Sequence, residues 1–96
     1  MLERRDPKTG QTPLMLASRH GHHEIVSILL AAGANYDSVD FEGWSSLKAA
    51  SWGGHLECVR LLLEVGADAD KCDVGGRSPL GAACWCGHED IVKQLL

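Results

Sequence analysis

Chemistry would first be sought among the four cysteines and five histidines of this chain. Cys84, Cys86 and His88 lie close together, but a single residue separates the two cysteines. Zinc sites more often use cysteine pairs with two or more residues between them. His20, His22 and His23 form a second cluster. They read as solvated turn histidines rather than a pH-sensitive contact through His20. Serine, histidine and aspartate all occur, yet none falls in a nucleophile motif. Gly53-Gly54 reads as a helix-ending turn rather than a phosphate loop, and Gly75-Gly76 as a hairpin-like turn. These residues point to no catalytic group, no metal and no cofactor, and the chain is expected not to be an enzyme.

The 96 residues suit one domain, spanning 1–96. Nine basic residues against 13 acidic ones give a net charge of −4. That argues against a general nucleic-acid or membrane-surface binder, which needs a basic excess. No apolar run approaches the ~18–20 residues of a membrane span. The start, Met1-Leu2-Glu3-Arg4-Arg5-Asp6, lacks the apolar stretch of a secretory signal. Cys58, Cys72, Cys84 and Cys86 are therefore expected to be reduced thiols in a cytoplasmic or nuclear protein.

One offset organises the chain. Gly10, Gly43 and Gly76 recur every 33 residues, as do Leu14, Leu47 and Leu80, and Ala17, Ala50 and Ala83. Gly21-His22, Gly54-His55 and Gly87-His88 follow, then Leu29-Leu30, Leu62-Leu63 and Leu95-Leu96. Each unit reads as helix, turn, helix, loop. Thr12, Ser45 and Ser78 are placed to cap the first helices, with Pro13 and Pro79 at a position that needs no amide. Glu24, Glu57 and Asp90 sit early in the second helices, favourably against the dipole. Ile25, Val26, Ile28, Leu29 and Leu30 have helical spacing with a broad apolar face. No helix pair can bury such a face alone, so neighbours must stack. By offset, Cys58 shares a core position with Ile25 and Ile91, and Cys84 a small near-core position with Ser18 and Ser51. His22, His55 and His88 are expected to bond loop backbone.

The run Gly10-Gln11-Thr12-Pro13-Leu14, with Ala17, Gly21-His22, Leu29-Leu30 and Gly33-Ala34, resembles the ankyrin repeat. The resemblance covers about residues 7–96, with repeats at roughly 7–39, 40–72 and an incomplete 73–96. It implies an all-α solenoid of stacked helix-turn-helix units with hairpin-like connecting loops. The family's histidine after Thr-Pro-Leu is replaced by Met15, Lys48 and Gly81, which implies a weaker tie between repeats. The last helix has no polar cap, so the chain reads as an excerpt from a longer array. Its ends, with Leu95 and Leu96, are expected to favour self-association if the fragment exists free.

Members of the family bind proteins through loop tips and the first-helix surface. Transferred by offset, those positions here are Lys8, Gln11, Phe41, Glu42, Trp44 and Arg77 on the loops. Arg19, His20, Trp52, Trp85 and Cys86 hold them on the first helices. Four of the five aromatics, Phe41, Trp44, Trp52 and Trp85, fall on these positions, and Trp and Arg are enriched at binding hot spots. The expected function is a non-catalytic adaptor or scaffold module for another protein or peptide. The alternatives are a structural spacer in a longer array, or a regulatory or substrate-recruiting part of a larger enzyme, channel or ubiquitin ligase.

Overall fold

The computed structural model describes residues 2–96. Six helices follow one another: α1 (Pro13–Arg19), α2 (His23–Ala31), α3 (Ser46–Gly53), α4 (Leu56–Glu64), α5 (Pro79–Cys86) and α6 (Glu89–Leu95). They form three antiparallel pairs stacked side by side, with α1, α3 and α5 in one layer and α2, α4 and α6 in the other. No described helix is long and apolar enough to cross a membrane.

The local chemistry accounts for the boundaries. The side-chain oxygens of Thr12, Ser45 and Ser78 accept from the amides of Met15, Lys48 and Gly81 at 3.1–3.3 Å. This satisfies donors the helix itself leaves unpaired. The second helices have no such side-chain cap at His22, His55 or His88. Glu24, Glu57, Glu89 and Asp90 stand in their first turns instead, where the dipole favours negative charge. The core runs through the stack as Leu14, Ala17, Val26, Leu47, Ala50, Val59, Leu62, Ala83 and Ile91.

The connecting loops are hairpin-like. An isolated antiparallel bridge joins Val39 to Ser45. Asp40 and Asp73 each open a turn, their Oδ1 accepting two amides at 2.9 Å: Glu42 and Trp44 in one, Gly75 and Arg77 in the other. The first turn is one residue longer. There Asp6 pairs with Gln11, whereas Asp40 pairs with Trp44 and Asp73 with Arg77. The turn-forming aspartate of the first repeat therefore falls one place out of the 33-residue register.

Two expected core positions are corrected at the ends of the stack. Cys58 and Ile91 are buried, but Ile25 is 48% exposed. Ser18 and Ser51 are buried, but Cys84 is exposed. Burial at these places comes from the neighbouring repeat, and Ile25 and Cys84 face no neighbour. Leu16 and Ile28 are likewise exposed, while Ala49 and Ala82, at the place of Leu16, are buried. Replacing Ile28, 67% exposed, by glutamine is expected to change the unfolding free energy by less than ~1 kcal/mol, since little buried area is lost. It should lower any self-association. Sedimentation velocity at increasing concentration checks this, and unchanged association would move the contact elsewhere.

Candidate functional site

The loop tips and the α1, α3, α5 layer enclose a concave groove, divided into two notches at the repeat boundaries. The first notch, about 260 Å³, is lined by Gln11, Met15, Arg19 and His20 on one side and by Asp40, Glu42, Trp44, Ala49 and Trp52 on the other. The second, about 760 Å³, lies between Trp44, Lys48 and Trp52 on one repeat and Arg77, Ser78, Ala82 and Trp85 on the next. Trp44 and Trp52 are shared, so they form the ridge between the notches. Their rings meet edge to face, with centroids 5.8 Å apart and planes at 69°, a favoured aromatic geometry.

Of the eleven residues expected from sequence, the groove brings together Gln11, Arg19, His20, Glu42, Trp44, Trp52, Arg77 and Trp85. Lys8, Phe41 and Cys86 line neither notch. Phe41 covers Gly10 of the preceding hairpin, where any side chain would strike its ring, and its amide bonds the carbonyl of Thr9. It stacks one hairpin on the next. Trp85 is 83% exposed, and Trp52 is 43% exposed despite its contact with Trp44.

The floor of the second notch holds a residue that sequence reasoning did not single out as functional. Lys48 is 1% exposed, and its ammonium pairs with Asp73 of the next hairpin. The same ammonium lies 4.2 Å from the centroid of the Trp44 ring, a distance at which the ring's quadrupole attracts a cation. The Lys48 hydrogen bond, followed by that from the Arg77 amide, lowers the Asp73 carboxyl to about 2. The expectation of a weaker tie between repeats is thereby corrected at this boundary. The family histidine is missing, but a buried ion pair spans the same junction. The substitution itself was the signal, because a charged residue at a core-facing place needs a partner.

A second tie recurs at both boundaries. The His55 ring nitrogen bonds the carbonyl of Arg19 at 2.9 Å, and that of His88 bonds the carbonyl of Trp52 at 3.1 Å. These are helix-end carbonyls of the preceding repeat, not the loop backbone expected from sequence. Both hold the last turn of a first helix, the turn that carries Arg19 or Trp52 into the groove.

The residues considered for chemistry are dispersed. Among the described residues no three His, Cys, Asp or Glu side chains converge as a metal site. All four cysteines are free. Burial, with a smaller contribution from Glu57, pushes the Cys58 thiol up from its ordinary range, which disfavours the reactive thiolate.

The sequence profile of ankyrin repeats, which describes three copies, matches residues 1–73 and 42–96 of this chain. Glycerophosphocholine phosphodiesterase gde1 of Schizosaccharomyces pombe is 54% identical over 44 residues, which is 46% of this chain. The chain spans only 4% of that relative's length. The helix pairs, their capped starts, the hairpin loops and this match agree: the chain belongs to the ankyrin repeat family.

Proposed function

We propose that this chain is a non-catalytic docking module that holds a segment of another protein across its two-notch groove. One observation carries this reading: Trp85, the largest type of side chain, stands 83% exposed at the mouth of a 760 Å³ notch whose other wall is Trp44 and Trp52. Water-exposed aromatic surface of this kind is retained where a partner covers it. Arg19, Glu42 and Arg77 supply the polar rim. Binding is rigid docking on preformed walls, held in place by the His55, His88 and Lys48 ties.

The test is affinity capture with the wild-type chain beside a Trp52→Ala/Trp85→Ala variant, after circular dichroism shows both folded. Loss of a retained partner by at least about tenfold, the size of one hot-spot contact, is the expected result. Equal retention by both forms would assign the two tryptophans to the scaffold.

A second reading makes these repeats the recruiting or regulatory part of a larger protein. It is favoured by the stretch shared with a much longer relative whose name is that of an enzyme. The exposed Leu16 and Ile25, whose equivalent places Ala49, Ala82, Cys58 and Ile91 are buried under a neighbouring repeat, likewise suit a face that another unit covers.

A further inference from the structure

We infer that the groove is built for an extended peptide segment carrying a basic residue and, about three positions along, an acidic residue beside a bulky apolar one. This rests on the groove being the docking surface.

The argument comes from comparing the two notches, which are the same structural place one repeat apart. In each, the hairpin wall begins at a turn aspartate. In the second notch that aspartate, Asp73, is neutralised by Lys48. What remains on the hairpin wall is Arg77, exposed and, among the described residues, without an ion-pair partner. In the first notch Met15 stands where Lys48 stands, so Asp40 has no lysine beside it. Its Oδ1 holds the turn amides, and Glu42 adds a second carboxylate on the same wall. Arg19 and His20 lie on the opposite, helical wall and make no ion pair with either acid among the described residues.

The hairpin wall thus changes sign between neighbouring notches, from two carboxylates to one guanidinium. A complementary segment reverses that order, presenting a cation at Asp40 and Glu42 and a carboxylate at Arg77. Packed helices of adjacent repeats lie roughly 8–10 Å apart, and an extended chain advances about 3.3 Å per residue. The two charges must therefore be about three residues apart. The apolar side chain belongs beside the acidic one, because the larger notch with Trp52 and Trp85 adjoins Arg77.

The experiment pans a random twelve-residue peptide display library on the wild-type chain. Enriched peptides are then titrated, as fluorescent synthetic peptides, against Arg77→Glu, Glu42→Lys and Trp85→Ala. All three side chains are exposed, and a thermal melt confirms that each variant folds. The expected result is enrichment of the spaced charge pair with an apolar neighbour. Each charge reversal should weaken binding by about tenfold or more, and Arg77→Glu should prefer a peptide with lysine in place of the acid. Binding that depends on Trp85 but ignores both reversals would overturn this inference and leave the groove reading standing. No enrichment, or enrichment indifferent to Trp85, would overturn both.

Discussion

An Asp73→Asn variant is expected to lose about 3 kcal/mol of stability, the low end of the range for removing one partner of a buried ion pair. The substitution keeps an oxygen to accept from the Gly75 and Arg77 amides, so the turn survives. It leaves the Lys48 ammonium, 1% exposed, with only the Trp44 ring beside it. A domain this small has a total margin of only about 5–15 kcal/mol, so the loss should bring it close to unfolding at room temperature. Lys48→Met on top of Asp73→Asn should restore most of it. That change removes the stranded charge and installs the residue that the first repeat buries at the equivalent place, where Met15 is 3% exposed. Urea unfolding of the single and double variants measures both effects. A loss below about 1 kcal/mol in Asp73→Asn would mean that the lysine reaches water instead.

The same pair sets an acid limit. The folded-state Asp73 carboxyl is lowered from 3.8 to about 2. A lowered carboxyl stabilises the fold above its unfolded value and ceases to do so as pH falls through its folded value. About 2 kcal/mol is therefore present above pH ~4 and lost between there and pH ~2, at about 1.4 kcal/mol per pH unit of displacement. Asp73→Asn should abolish that segment of the pH profile, whatever the other carboxylates do.

The second large effect is expected at Gly54. It ends α3 at φ +76°, where an L side chain costs roughly 1–2 kcal/mol. A Cβ there would also come within 2.7 Å of the His88 ring, displacing the ring that bonds the Trp52 carbonyl. With about 1 kcal/mol for that hydrogen bond, Gly54→Ala should cost about 2–3 kcal/mol in total. Gly87 provides the control. It has nearly the same φ, +75°, but nothing within 4 Å of an added Cβ. Gly87→Ala should therefore show the conformational cost alone. Denaturant melts of the two variants that gave equal losses would remove His88 from the account.

The repeat was legible because each position's identity recurs with its local role. Caps, turn glycines and paired leucines act within one unit, so their offset carries them correctly into the structure. What depends on a neighbour was not legible by offset. Ile25 and Cys84 share identity patterns with buried residues yet are exposed, since the repeat that would cover each is not beside it. Lys48 and Asp73 lie 25 residues apart, and neither was marked by spacing. Only the misfit of a lysine on a core-facing place pointed to a pair. The groove was legible for eight of its residues because the family's surface columns transfer by offset. Phe41 lines neither notch, and its exposure on the hairpin hides what it covers, the backbone of Gly10. The first turn's aspartate escaped the register because its loop holds one more residue.

The fastening of the two repeat boundaries has a consequence for how the molecule comes apart. Both carry a histidine tie, at His55 and His88. The first adds the bond from the Arg5 guanidinium to the Val39 carbonyl at 2.6 Å, and the second adds the Lys48–Asp73 pair. In a stack where each unit touches only its neighbours, an outer unit has one junction to break and the middle unit has two. The chain is then a zipper that opens from either end, and the amide protons of α1, α2, α5 and α6 should exchange with solvent before those of α3 and α4. A segment lying across both notches would clasp both ends to the middle. It would slow exchange far from any residue it touches, so occupancy of the groove would be visible as a quieting of the outer helix pairs.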